Sequence, residues 1–554
     1  MKQQELTVLL CLLWALTILY GEMFAYWVPP LFTCSWPHLL RTSSSSTIQT
    51  DSGNYQADYV KVAVIADPQL MDKTSLPLPA KSLALELAEF YTDLNMRRSF
   101  FASVLPFKPD VILFLGDYFD GGPYLSDEEW QESFNRFRHI FGLNAQGKYT
   151  DMHAYYIPGN HDIGYESIHS QKPEKTNVNK TRQILIVIQR YEETFGIRNY
   201  RFKVGRADFI AIDAQTLDGH PQNHLTSQTW DFVKNISVDD MVNPRVLLTH
   251  IPLYRREDTY CGLYRNSPIV NQRIHRTVNG DTNDIMYQNY VFEESSMYLL
   301  DRIKPKLILS GHDHDQCTIT HQSKSGPVSE LTLGTISWQQ GNLYPSFMLL
   351  SVDNSTLPNA SIPKNALLTH LCYLPMQTHI YIWYIVLFVL TLFTTLLWPT
   401  SGTSLWHQCL SLISNGKLLL ACIFSRSETK DKDEDANYEY EMMWDADGSM
   451  HLVKKPLNAS TVNSNERSIG ERGNVVMRPA ARKNMAQEAD LSVNVDMDSG
   501  IGLDPLARVP PRAGKSKTKI IIQRLIRTLR MLTVVAAVNV PLYMMLLFKD
   551  WIEK

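Results

Sequence analysis

The chain has 554 residues, 53 Lys and Arg against 57 Asp and Glu, a formal net charge of -4, and a hydrophobic content of 44%. That length suits roughly three domains and excludes a miniprotein or a wholly disordered chain, and the near-balanced charge offers no global basic field, so no nucleic-acid partner is expected. Its 7 cysteines form no CxxC pair and no repeated metal-type spacing, which excludes zinc-finger and thioredoxin-like chemistry.

Residues 1–28 open with Lys2 and continue into the apolar run Leu6–Val28, which carries Glu22 as its single charge. About 20 apolar residues cross a bilayer core, and no small-residue cleavage site follows, so an uncleaved signal anchor is expected. Residues 29–59, with the serine-rich stretch Arg41–Thr47, read as a tether. A second span is expected at 380–398, which has no charged residue and has Tyr381, Trp383, Tyr384 and Trp398 near its ends, as interfacial aromatics would be. Residues 399–530 mix acid runs such as Asp431–Asp435 with Ser, Asn and Pro, and read as a largely disordered loop. A third span is expected at 531–548, which holds Asn539 and Pro541. Lys515, Lys517, Lys519, Arg524, Arg527 and Arg530 precede that span with no acid among them, whereas Lys549 and Lys554 follow it. Basic flanks stay cytosolic, so 399–530 is expected in the cytosol and 29–379 on the exoplasmic side. The sequons at Asn179, Asn235, Asn354 and Asn359 all fall in the latter segment.

Residues 60–352 hold the chemistry. Five short apolar runs, Val62–Ala66, Val111–Leu115, Ala154–Ile157, Val246–Thr249 and Leu307–Leu309, each end in a polar cluster. Unbroken apolar runs of this length are buried strands, and α/β proteins place ligands just past the carboxyl ends of such strands. One Asp or His after a strand is commonly a loop cap; five such clusters are not explained that way. They offer Asp67, Gln69, Asp117, Asn160, His161, His250, His312 and His314. Carboxylate and imidazole suit hard or borderline divalent ions such as Mn, Fe(II), Zn or Mg.

The ordered blocks Asp67-Pro68-Gln69, Gly116-Asp117, Gly159-Asn160-His161-Asp162, His250 and Gly311-His312-Asp313-His314 resemble the calcineurin-like metallophosphoesterases. The resemblance implies an α/β fold, a double β-sandwich flanked by helices, and two divalent ions. One ion would take Asp67, Asp117 and His314, with Gln69 at the family's usual histidine position; the other would take Asp117, Asn160, His250 and His312. His161 resembles the family's general acid, and Asp162 is either its orienting acceptor or a helix cap. Arg255, Arg256, Tyr118, Phe119 and Tyr165 are candidate substrate contacts or simply surface and packing residues.

The loops Ala66–Leu70, Gly116–Gly122, Gly159–Gly164 and Thr249–Arg255 look like the membrane-anchored cell-division-control subgroup that remodels GPI glycans. That likeness implies manganese, a GPI-anchored protein or GPI lipid as substrate, removal of ethanolamine phosphate from mannose, and residence in the endoplasmic reticulum or Golgi membrane. A luminal phosphomonoesterase or nucleotide phosphodiesterase, or a non-catalytic scaffold of the same fold, are the alternatives. Among Cys34, Cys261, Cys317 and Cys372, the pairing Cys261 with Cys317 belongs to one of three possible patterns.

Overall fold

The computed structural model describes residues 3–38, 58–144, 146–165, 180–219, 224–239, 241–265, 274–279, 282–339, 341–355, 366–398, 438–444, 450–456 and 517–552. The chain divides into two units, Met1–Gly402 with Leu525–Lys554, and Thr403–Arg524.

The first unit contains two sheets. One holds β1 (Tyr59–Ile65), β2 (Val111–Phe114), β3 (His153–Tyr156), β12 (Ser346–Asp353) and β13 (Leu367–Tyr373), in the order β13-β12-β1-β2-β3. The other holds β4 (Tyr200–Val204), β5 (Ala207–Ile212), β6 (Arg245–Thr249), β9 (Leu307–Ser310), β10 (Cys317–Ser323) and β11 (Gly326–Thr332), in the order β10-β11-β9-β6-β5-β4. A separate hairpin pairs β7 (Ile274–Asn279) with β8 (Thr282–Gln288).

Side chains alternate across each strand, so one sequence run serves two cores. Val62 and Val64 of β1, Val246 and Leu248 of β6, and Leu307 and Leu309 of β9 fill the layer between the sheets. Ala63 and Ile65 face an outer layer with Phe100, Phe137 and Phe141, while Leu247 and Ile308 face another with Val233, Leu299 and Ile303. The arrangement is the double β-sandwich flanked by helices that the blocks imply. β1, β2 and β3 run parallel, as do β5, β6, β9 and β11, which carries the five polar clusters to one edge of the sandwich. The expected end of the domain at residue 352 is too early, because β13 adds a fifth strand that pairs antiparallel with β12 from Ser346↔Tyr373 to Val352↔Leu367.

Among the described residues, three helices are long and apolar enough to cross a membrane: α1 (Gln3–Thr33), α8 (Gln377–Leu397) and α9, whose apolar stretch is Thr518–Trp551. α1 continues past the expected boundary at 28, since Pro29 and Pro30 lie inside its last turns, and α9 begins at Lys517, well before Met531. Glu22 is buried at 3% exposure. It pairs with Arg98 at the end of α2 (Leu83–Arg98), and Arg98 also meets Asp550 at 2.8 Å. Charge inside an apolar segment persists where a partner meets it, and here the partner belongs to the globular domain. Tyr384 donates to Glu22 at 2.8 Å, and Tyr26 donates to Gln377 at 2.7 Å. Disulfides join Cys34 to Cys372 and Cys261 to Cys317.

In the second unit, β14 (Tyr438–Trp444) pairs antiparallel with β15 (Met450–Pro456), a hairpin that the expected disorder of 399–530 did not include. The rest of that loop up to residue 516 lies outside the described residues, as do Asn179, Asn359 and most of the tether.

Candidate metal centre

Each polar cluster sits on the turn that leaves a strand, and the turns are bent unusually. Of the nine non-glycine residues with positive φ among the described residues, five are Asp67 (49°), Gln69 (39°), Asp117 (55°), His312 (71°) and His314 (55°). Such backbone is costly for non-glycine residues and is retained where the surroundings overdetermine it. The surroundings here are tight. A methyl group on Gly159 would overlap the Asp117 carboxylate, and one on Gly311 would come within 2.9 Å of Asp67 Oδ2.

The side chains converge as two triads that share Asp117. Ligating atoms of Asp117, His250 and His312 lie within 4.8 Å of one another, as do those of Asp67, Asp117 and His314. Gln69 Nε2 donates to Asp117 Oδ2 at 3.2 Å, while its Oε1 is buried with no hydrogen-bond partner. Asn160 Oδ1 lies 3.1 Å from His250 Nε2, and Asp117 Oδ2 lies 3.2 Å from the same nitrogen.

Outer contacts orient the imidazoles. His250 Nδ1 is 2.7 Å from the Leu115 carbonyl, so Nδ1 carries a proton and Nε2 faces the oxygens of Asn160 and Asp117. His312 Nε2 is 2.9 Å from the Gln288 carbonyl, which leaves Nδ1 for the centre. Ligating histidines are typically held by such second contacts. Two acceptor oxygens crowded on one ring nitrogen require positive charge among them. The protein's own groups answer with a proton: burial would lower His250, but Asp117 and Asp67 outweigh it and lift the imidazole to about 9. Burial and the neighbouring His250 hold His312 well below its ordinary range, and burial pushes His314 down to about 4, so both present the neutral form that ligates metal. Although burial opposes it, His250 and His161 hold Asp117 below the usual carboxylate range, whereas burial and Asp117 push Asp67 up. Donor chemistry, the orphaned Gln69 oxygen and the fixed imidazoles all fit two divalent ions.

The family comparison agrees with this geometry: residues 60–316 match the calcineurin-like phosphoesterase family. Over those residues the chain is similar to a calcineurin-like phosphoesterase domain. Cell division control protein 1 of Saccharomyces cerevisiae is 30% identical over 342 residues, covering 59% of this chain and 64% of that protein, so less than two thirds of the yeast protein is matched. Metallophosphoesterase 1 of Gallus gallus is 24% identical over 384 residues, covering 66% of this chain and 83% of that protein. A solved purple acid phosphatase from yellow lupin seeds overlays with a TM-score of 0.33 at 12% identity, covering 54% of this chain and 50% of that one, a likeness too loose to bear on chemistry.

Three sets of side chains in the phosphoesterase domain do not take the catalytic or substrate role offered for them, and for Asp162 and the aromatic residues the capping and packing alternatives hold instead. Asp162 does not orient His161: its carboxylate accepts the amides of Asp117 at 2.8 Å, Tyr118 at 2.7 Å and Gly159 at 2.8 Å, and so fixes the backbone of both metal-bearing loops. The His161 ring instead meets Asp120, through the carbonyl and, at 3.5 Å, the carboxylate. Tyr118 is fully buried and donates to the Ile157 carbonyl at 2.7 Å, and Phe119 and Tyr165 are likewise buried, so none of the three lines a substrate surface. Arg255 is buried beneath the centre, bonded to Thr332 Oγ1 and 3.6 Å from Glu330, with its guanidinium 5.2 Å from the Tyr290 ring. It ties the loop after His250 to β11 and is not available to a phosphate. Asp120 is the residue that sequence reasoning missed; its signal was a second carboxylate-bearing position within Gly116–Gly122.

Proposed function

We propose that the chain is a dinuclear-metal phosphodiesterase that removes ethanolamine phosphate from GPI-anchor mannose in the endoplasmic reticulum or Golgi, with the phosphoesterase domain luminal and manganese as the working ion. The observation that carries the hydrolase reading is the pair of triads sharing Asp117, buried except for the half-buried His314. Divalent ions held there supply Lewis acidity and an ionised water near neutral pH.

The protein's own residues do the rest. Asp117 holds both halves of the donor set, and Asp162 keeps its loop from relaxing by accepting three amides. His161 is 35% exposed, in contrast to the fully buried Asp117 and His250, so a substrate can reach it. With Nδ1 donating to the Asp120 carbonyl, Nε2–H is the proton available to a leaving alkoxide. Burial lowers the imidazole, but Asp117 and Asp120 outweigh burial and raise it, which holds that proton to higher pH than on a free imidazole.

A lipid-linked substrate is supported by the attachment of the domain through Arg98 to Glu22 of α1 and Asp550 of α9, with Tyr384 of α8 donating to the same Glu22. Luminal placement is supported by the six basic residues before Met531 and by two disulfides, which persist in oxidising compartments. Mass spectrometry of GPI glycans from cells lacking the protein is the test: extra ethanolamine phosphate on mannose is expected. Unchanged glycans, together with hydrolysis of soluble phosphomonoesters or nucleotide diesters by purified protein, would overturn the substrate assignment.

A further inference from the structure

α8 fixes where a bilayer would lie. Its 21 residues carry no Asp, Glu, Lys or Arg, and at 1.5 Å per residue they are about 31 Å long, the thickness of the hydrocarbon core. Little of the helix is left over to stand above the membrane. Tyr381 lies four residues into it, about one turn, and therefore near the level of the lipid headgroups.

The phosphoesterase domain touches the helix at that level. The Trp338 ring is 6.0 Å from the Tyr381 ring, and the next residue, Gln339, donates through Nε2 to the carbonyl of Gln69 in the metal-bearing loop. Nearby, Asn342 Nδ2 donates to the His314 carbonyl at 2.7 Å. Trp338, Gln339 and Asn342 thus link the metal loops directly to the headgroup level, and the neighbouring Leu343 is 38% exposed.

A second segment lies beside the first. The Tyr264 ring is 5.8 Å from that of Tyr344 and 5.1 Å from that of Tyr373, four residues before α8 begins. Its chain turns at Gly262, whose φ of 107° is left-handed and whose surroundings within 4 Å are open. At that turn Tyr260 is 70% exposed, Leu263 81% and Tyr264 54%. The turn is also held rigidly: Cys261 is bonded to Cys317, and Gln316 Nε2 donates to the Tyr264 carbonyl at 2.8 Å and to Tyr373 at 2.8 Å. Large exposed apolar and aromatic residues at a rigid turn are poorly suited to water and well suited to the bilayer interface, where Tyr and Trp concentrate.

We propose that Tyr260, Leu263 and Tyr264, together with Trp338, Leu343 and Tyr344, form a rim that inserts into the bilayer interface, with lipid as its partner, so that the metal centre opens at the membrane surface. Continuity with α8 through Tyr381 and Tyr373 is what selects lipid over a protein partner. The inference rests on α8 being a membrane span and not on the identity of the phosphoester.

The test uses full-length protein in phosphatidylcholine vesicles that contain a lipid with a photoreactive diazirine near its headgroup. After illumination, mass spectrometry should find lipid adducts on Tyr260, Leu263 or Leu343, with Trp383 of α8 as the internal positive control. Adducts on Trp383 with none on the rim would overturn the proposal. In parallel, Leu263→Asp should lower the ratio of turnover on a lipid-linked phosphoester to turnover on a soluble one by roughly tenfold, the scale expected from withdrawing one large apolar side chain from lipid. An unchanged ratio would also overturn it. Neither readout depends on GPI, so failure of the substrate assignment leaves a distinct signature.

Discussion

Two substitutions separate holding metal from moving protons at the scale of single residues. Asp117→Ala removes the carboxylate common to both triads, and purified protein should lose activity together with both ions by metal analysis. His161→Ala leaves both triads intact and should retain metal while kcat falls by roughly two to four orders of magnitude, the usual contribution of a general acid. Retained metal and rate in the first variant would sink the shared-ligand assignment. Asp120 gives a finer test. It is one of two carboxylates that raise His161, and a raised imidazole keeps its proton to higher pH. Asp120→Asn removes one of those charges, so the alkaline limb of the pH–rate profile should move to lower pH with the acid limb in place. An unmoved alkaline limb would detach Asp120 from the acid.

The strands and their connections supply a different prediction. Glu330 on β11 is fully buried, 3.6 Å from Arg255 and 2.7 Å from His321, and accepts from Ser310 at 2.8 Å. Burial pushes the Glu330 carboxyl up, but Arg255 and His321 outweigh it and hold it below its ordinary value of 4.5. A depressed carboxylate contributes stability above its unfolded pKa, and that contribution is lost as pH falls through the lower, folded value. Glu330→Gln should therefore lower the unfolding free energy at pH 7, by an amount on the order of the 3–5 kcal/mol for a buried ion left unpaired, and should flatten the loss of stability on acidification below about pH 4.5. Wild type and variant with parallel acid profiles would refute this. These same elements show what was legible in the sequence. Five apolar runs ending in polar clusters identified β1, β2, β3, β6 and β9 and the residues at their ends, because buried strands and the turns leaving them have a strong local pattern. β13 was missed because Leu367–Tyr373, LLTHLCY, is half-buried along most of its length and reads weakly as a core strand. The sequence leaves Asp162 and Tyr118 open between two roles and gives no sign that Arg255 is buried, for one reason: a polar or aromatic residue beside a ligand looks the same in sequence whether it faces substrate or braces the loop from behind. Only the packed chain tells the two apart.

Across the whole molecule, the two ends of the phosphoesterase domain are bound to each other and to apolar helices. The proposed orientation makes a prediction about glycans. Asn235 is exposed on the helix His224–Val238 and should carry glycan in a cell, whereas the sequon at Asn458, in the segment assigned to the cytosol, should not. Glycopeptide mapping decides it, and glycan at Asn458 would invert the assignment. The Cys34–Cys372 disulfide spans 338 residues, and β1 finds its antiparallel partner only in β12, with Tyr59 opposite Asp353. At the usual 5–20 residues per second, the ribosome needs roughly 20–70 s to make the intervening chain. Throughout that interval Cys34 is a thiol without its mate, and one edge of β1 has no strand beside it. Both gaps close only when the last part of the domain emerges, just ahead of α8. A ribosome that stalls before Cys372 therefore leaves a chain whose Cys34 stays exposed to mispairing with Cys261 or Cys317, both already made, and the order of synthesis itself becomes a hazard that the cell's disulfide-handling enzymes must cover.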